Sequence, residues 1–260
     1  MSKAHGIIFD LDGTVYCDDQ LIPGAPEAIA WLRRRGHPIV FVTNAIESRA
    51  AHAAKLARFD IPASPDEIIN ATLVLTRHLK RQLPNAAFFA ISDPPLIEEL
   101  SAHFVFSQDP DEIDVVIASC DRSFDFDKLN IAFQALRRGA RFWAANADAT
   151  CPVPGGEIPD AGAVIGALEG CSKRKVELVA GKPSPLVAKA ALEQLGLPAS
   201  ECLIVGDRVE TDILMGHRAG MHTALVLTGV TRRADLAHAP VQPDYVLESI
   251  AEVPRLFQTR

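Results

Sequence analysis

Short apolar runs alternate with helix-like segments along nearly the whole chain, and this alternation restricts the fold more than any other feature. The runs begin with GIIFD at residue 6 and end with DYVLES at residue 244. Strands joined by helical crossovers lie parallel in one sheet, because a parallel neighbour needs a return path of a dozen or more residues. An α/β protein built on a parallel sheet is expected. GIIFD leads through Pro23-Gly24 into the helix-like APEAIAWLRRRG, whose Gly36 suits a helix C-terminus. PIVFVTN and the helix-like ESRAAHAAKLARFD follow, then a helical segment from about Pro65 to Gln82 that stops before Pro84.

The middle of the chain repeats the alternation with strands of its own: AAFFAIS, FVFS, IDVVIAS and ARFWAAN, separated by helix-like PPLIEELSAH and FDKLNIAFQALRRG. After the Pro/Gly-rich loop CPVPGGEIPDAG and the apolar helix AGAVIGALEG, the first pattern resumes. VELVAGKPSP, SPLVAKAALEQLG, CLIVGD, TDILMGHRAG and HTALVLT complete it. At 260 residues the chain fits one domain carrying a large insertion. Residues 1–76 and 179–260 read as the core, and 77–178 as the inserted domain.

Four apolar runs end in polar groups useful for chemistry: GIIFD at Asp10, PIVFVTN at Thr43-Asn44, VELVAGK at Lys182 and CLIVGD at Asp207. Parallel strands share one carboxyl edge, and ligands of open α/β sheets bind there. Taken singly, each group has a bland reading. Asp12-Gly13 suits a turn, Thr43-Asn44 a helix cap, Lys182 a solvated loop, and Asp207, Thr211 or Asp212 a cap for the next helix. Recurrence at four strand ends argues for one shared crevice. Asp10 and Asp12 lie one residue apart, and two carboxylates so close need a cation or a proton to offset their repulsion.

Phosphoryl transfer through an aspartyl phosphate suits this set. Asp10 can attack phosphorus, and Asp12 can give a proton to the leaving oxygen and later take one from water. Attack by an anion on a phosphate dianion calls for Mg²⁺ on hard oxygen ligands, namely Asp10, Asp207 and the backbone carbonyl of Asp12. Asp212 would hold a metal-bound water or orient Lys182. Lys182 and the Thr43 hydroxyl would grip the phosphate.

The sequence also excludes several classes. With a net charge of −7 and basic residues scattered apart from short runs such as Arg33-Arg34-Arg35, nothing favours nucleic acid. The five cysteines form no CxxC pair and read as reduced cytosolic thiols. No CxxC pair accompanies the eight histidines, and a zinc site is not expected. No apolar stretch approaches membrane-spanning length, and four apolar residues precede the first acid, too few for a signal sequence. A cytoplasmic enzyme acting on small phosphorylated metabolites is expected, with no membrane or nucleic-acid partner.

DLDGTVY (Asp10 to Tyr16), VTN (Val42 to Asn44), GKPSP (Gly181 to Pro185) and GDRVETDI (Gly206 to Ile213) resemble, in order, the four motifs of the haloacid dehalogenase-like phosphatases. The subfamily of NagD and the 4-nitrophenyl phosphatases is the nearest in kind, since CDRSFDFDKLNIAFQALRRGARFWAANAD and PDAGAVIGALEG resemble its cap. The resemblance implies a Rossmann-like core with an inserted class IIA cap and a homodimer formed through the caps. It implies Asp10 as nucleophile, Asp12 as general acid/base, Thr43 and Asn44 as phosphate contacts, Lys182 as the neutralising lysine and Asp207 as a Mg²⁺ ligand. Asp212 matches the second acid of the fourth motif. Relatives commonly read TNNS where this chain has Thr43-Asn44-Ala45-Ile46.

Substrate specificity is expected from the cap, with Asn146 and Asp148 as candidates in ANADATCPVPGG, beside the reading of both as turn formers. Asp121 and Arg122 are further candidates, while Phe124, Phe126, Phe133, Phe142 and Trp143 read as cap core. A phospho-acceptor switch would place its phosphorylated Asp on a later strand and has no use for Asp12. A haloalkanoic acid dehalogenase needs no metal, hence no Asp207 partner. A phosphomutase shares the first chemical step and stays open. The identity of the ester does too: sugar phosphates, nucleoside monophosphates and similar metabolites all fit.

Overall fold

The computed structural model describes residues 5–153 and 156–258. Two compact units make up the chain, one of residues 1–43, 49–69 and 182–260, the other of residues 44–48 and 70–181. The helix Ala71–Gln82 therefore groups whole with the second unit, although the sequence reading divides it at residue 76.

The first unit holds most of a six-stranded sheet in the order Tyr245–Leu247, His222–Val226, Cys202–Gly206, Gly6–Asp10, Ile39–Thr43, Ile68–Asn70. Its first five strands pair in parallel. Gly6–Asp10 lies between Cys202–Gly206 and Ile39–Thr43, and every residue of these three strands is buried. A strand covered on both faces reads as a continuous apolar run, as GIIFD, IVFVT and CLIVG do. Ile7, Phe9, Phe41, Leu203 and Val205 lie in the core beneath. From Gly6–Asp10 the sheet grows to one side early in the chain and to the other side late. Asp10 therefore stands at the point where strand order reverses, the place where open sheets form a ligand crevice.

The second unit carries its own parallel sheet in the order Leu178–Val179, Arg141–Ala144, Val115–Ala118, Ala87–Ile91, Val105–Phe106. Phe89, Val116, Leu136, Phe142, Ile165 and Leu168 fill its core. No helix among the described residues is long and apolar enough to cross a membrane.

Three expectations need correction. The helical segment placed from Pro65 to Gln82 begins instead with a short 3₁₀ turn, Pro65–Glu67, and the strand Ile68–Asn70; the helix starts at Ala71, capped by Asn70, whose side chain accepts from the Leu73 N–H at 2.9 Å. The run VELVAG does not join the sheet that carries Asp10. Its Leu178 and Val179 pair with Trp143 and Ala144 of the second sheet, so Lys182 enters the first unit from a loop and not from a strand end. Of the five aromatics assigned to the cap core, Phe142 and Trp143 are buried, but Phe126 is 78% exposed and Phe124 38%. Phe126 is the first residue of a helix whose N-cap is Asp125, and it faces solvent.

Candidate active site

Asp10 ends its strand in register with Val42, and Phe9 is level with Val205, which places Asp207 just past the neighbouring strand end. Asp10 is 5% exposed and Asp207 1%. The chain after Asp10 turns sharply. Val15 donates to the Leu11 carbonyl at 2.8 Å and Gly13 to the Tyr16 carbonyl at 2.7 Å, with Gly13 at φ +87°. This turn brings Thr14 back so that its hydroxyl donates to Asp10 Oδ2 at 3.3 Å. Asp12 lies in the same turn and is half-buried.

Lys182 bonds two of the acids. Its ammonium donates to Asp10 Oδ1 and, at 2.7 Å, to Asp212 Oδ1. Asp212 is also held by the Arg208 N–H at 3.2 Å and the Thr211 hydroxyl at 3.4 Å. It packs so tightly against Gly206 that a Cβ there would overlap its carboxylate. Asp207 Oδ2 accepts from the Val230 N–H at 2.6 Å. Gly229 leaves room for that carboxylate, and a Cβ on Gly13 would come within 2.6 Å of it.

The charges do not balance. Asp10, Asp207 and Asp212 each offer a carboxylate oxygen within 4.8 Å of the others, and one buried lysine faces them. Fully ionised, three carboxylates and one ammonium would leave two negative charges in a place with little water. The acids respond as burial dictates. Burial raises Asp10 well above the usual carboxylate range, Asp212 and Asp207 add to the rise, and Lys182 opposes it. Burial likewise brings Asp207 up to about 6, with Asp212 adding and the Val230 N–H, Lys182 and Arg208 opposing. Burial alone would lower Lys182, but the Asp10 and Asp212 carboxylates outweigh it and hold the ammonium charged. A cation with hard oxygen preference fits this set, since it would cancel the excess charge that now favours protonation.

The residues expected to meet in one crevice divide between the two units. Asp10, Asp12, Thr43, Lys182, Asp207 and Asp212 belong to the first, and Thr43, 3% exposed, ends the strand beside Asp10. Asn44, Asn146 and Asp148 belong to the second, where Asn44 Nδ2 donates to Asp148 Oδ2 at 2.9 Å. Asp121 is buried against Ser123 and Lys128, and Arg122 pairs with Asp93 at 2.7 Å. Pro154 and Gly155 of the expected specificity loop lie outside the described residues; the loop flanks them as an antiparallel pair, Thr150–Val153 with Gly156–Pro159. Sequence reasoning passed over Thr14, Gly206, Gly229 and Val230. Val230 acts through its backbone N–H, which no side-chain type announces, but Thr228-Gly229 does follow a buried apolar strand and was a signal of the same kind as the others.

Comparison with known proteins agrees with this geometry. Residues 7–104 match the model of the haloacid dehalogenase-like hydrolases, and residues 179–253 match a HAD-hydrolase-like model. The sugar-phosphatase AraL of Bacillus subtilis is 41% identical over 97% of this chain and 93% of its own length. The 5'-nucleotidase YutF of the same organism is 33% identical over 97% and 98%. Among solved structures, the p-nitrophenyl phosphatase of Archaeoglobus fulgidus superposes with a TM-score of 0.91 at 35% identity, covering 98% of this chain and 99% of that one. NagD of E. coli K-12 superposes with a TM-score of 0.87 at 31% identity, covering 96% and 98%. The chain belongs to the haloacid dehalogenase-like hydrolases, as a phosphatase of the class IIA group that includes NagD and the 4-nitrophenylphosphatases.

Proposed function

We propose that the protein is a Mg²⁺-dependent phosphatase of small phosphate monoesters, sugar phosphates first and nucleoside monophosphates second, working through an aspartyl phosphate on Asp10. The carrying observation is the buried set of Asp10, Asp207 and Asp212 facing a single lysine at the sheet's switch point. The order of substrates follows the names of the relatives, a sugar phosphatase at 41% identity and a 5'-nucleotidase at 33%. The first unit acts as the catalytic core and the second as the cap.

In the first step an Asp10 carboxylate oxygen bonds to phosphorus and the bond from phosphorus to the ester oxygen breaks. Asp12 hands its proton to that oxygen, and the alcohol leaves. In the second step Asp12 takes a proton from a water whose oxygen attacks phosphorus; the bond to Asp10 breaks and inorganic phosphate departs. Thr14 orients the nucleophile through Oδ2, while Lys182, fixed by Asp212, carries positive charge to the phosphoryl oxygens. Thr43 and Asn44 complete the phosphate grip. Asp10, Asp207 and the Asp12 carbonyl would hold Mg²⁺, with Asp212 behind them. When bound, the ion would offset the charge of the acids and of the phosphate.

The test is phosphate release from a panel holding 4-nitrophenyl phosphate, several sugar phosphates and several nucleoside monophosphates, with and without Mg²⁺, beside Asp10→Asn. Mg²⁺-dependent release that vanishes in the variant is expected. Release that persists in excess chelator, or in Asp10→Asn, would overturn the mechanism.

A further inference from the structure

We propose that Asn146 and Asp148 are positioning residues that fix the phosphate grip through Asn44 and Gly181, and that they do not read the leaving group; this rests on the phosphatase reading above. Both stood as specificity candidates because they follow a strand end in the cap. Their bonds point elsewhere. Asn146, 3% exposed, donates from Nδ2 to the Asn44 carbonyl at 3.1 Å, and its Oδ1 accepts from the Asp148 N–H at 3.2 Å. Asp148 Oδ2 in turn accepts from Asn44 Nδ2 at 2.9 Å. The three residues close a ring of hydrogen bonds, and both polar ends of Asn146 are committed to it.

Gly181 packs against the same ring. Its N–H donates to the Ala145 carbonyl at 2.6 Å, and a Cβ would lie 2.5 Å from Asn44 Oδ1 and 2.8 Å from the Ala145 carbonyl. On the other flank Thr72 Oγ1 donates to the Ile46 carbonyl at 3.2 Å and Asn70 Nδ2 to the Glu47 carbonyl at 2.7 Å. Three carbonyls of the segment Asn44–Ser48 are thus each held by a side chain of the second unit. Buried polar groups satisfied in this way hold one conformation and resist others.

The position in the chain gives the ring its consequence. Two of the places where the chain passes between units are Thr43 to Asn44 and Gly181 to Lys182. The ring therefore fixes Asn44, which follows Thr43, and Gly181, which precedes Lys182; Thr43, Asn44 and Lys182 are the side chains assigned to the phosphate. A displacement of about 1 Å in such groups can cost about a hundredfold in rate.

The experiment compares wild type with Asp148→Ala, Asp148→Asn, Asn44→Ala and the Asn44→Ala/Asp148→Ala pair. Asp148→Ala should lower kcat/KM about tenfold, by one common factor for 4-nitrophenyl phosphate, a sugar phosphate and a nucleoside monophosphate. It should also weaken inhibition by inorganic phosphate, which has no leaving group. Asp148→Asn, which keeps an acceptor oxygen, should recover most of the loss, and Asp148→Ala should add nothing in the Asn44→Ala background. A loss confined to some esters with phosphate inhibition unchanged would overturn the proposal and return Asp148 to substrate recognition; so would independent losses in the pair. Wild type that releases phosphate from no ester would instead sink the phosphatase reading. Hydrogen exchange at Asn44–Ser48, expected to quicken in Asp148→Ala, tests the ring without activity, and unchanged exchange would refute it.

Discussion

Replacing Lys182 with Met tests the charge accounting on which the site rests. The side chains of Lys182, Asp10 and Asp212 are 5%, 6% and 0% exposed, so water screens this group little. Removing one partner of a buried ion pair costs about 3–5 kcal/mol, because the partner left behind keeps its charge without compensation. Here one ammonium serves two carboxylates and Asp207 stands close by, which favours the upper part of that range. For a chain of this size each kcal/mol lowers Tm by about 2–4 °C, so Lys182→Met in chelator near neutral pH should melt roughly 10 °C below wild type. The penalty has a ceiling, since a carboxylate can escape it by taking up a proton. The deficit should therefore shrink as pH falls, and shrink again when Mg²⁺ is added. Asp212→Asn in the Lys182→Met background should restore part of the loss, as the two residues share one interaction. Differential scanning calorimetry of the four proteins decides it. A Lys182→Met variant that melts within about 2 °C of wild type, or a double variant that loses the sum of the two single losses, would refute the picture of uncompensated buried charge.

Other outcomes follow from the same geometry. Asp10→Asn should reduce turnover to background while leaving the fold intact, and undiminished phosphate release would remove the nucleophile. Asp12→Asn should stop hydrolysis and at most form phosphoenzyme slowly, as read by acid-quench labelling; wild-type turnover would exclude the acid/base role. Asp207 carries a raised value, so its protonated form is favoured in the fold: the metal-free protein should lose stability as pH rises from about 4 through about 6, and Mg²⁺ should raise Tm more near pH 7.5 than near pH 5. Equal Mg²⁺ shifts at both pH values would contradict it. Gly229→Ala should cost most of the Mg²⁺-dependent activity, because its Cβ would overlap the Asp207 carboxylate; isothermal titration showing unchanged Mg²⁺ affinity would argue against that close fit.

The parts of the site legible in the sequence share one property: a side chain changes abruptly from apolar to charged or hydroxylated at a strand end. Asp10, Thr43 and Asp207 show it because their strands are buried on both faces and read as unbroken apolar runs. Lys182 was found by the same rule, but its run belongs to the other sheet. Which strand Leu178 and Val179 would join depends on Trp143 and Ala144, some 35 residues earlier, and no local pattern carries that information. Ile68–Asn70 was lost for a different reason. Three residues are too few to show a period of two, and Ile68 and Ile69 fit the apolar face of the helix after them equally well. Phe126 misled because residue type predicts burial only on average, and a helix's first turn can face water.

Asn146 and Asp148 show what spacing cannot supply. Read along the chain, they are polar residues after a strand, and a turn or a substrate contact explains them equally. The bond to Asn44 spans about a hundred residues of sequence, and only the fold makes them neighbours. Their distance in sequence from Thr43 and Lys182 is also what suits them to the role proposed. A side chain that gripped phosphate directly would stand beside three acids that face a single lysine. Asp148 placed there would deepen the excess. Bonded instead to Asn44, the residue after Thr43, it fixes the geometry of the grip without facing the acids.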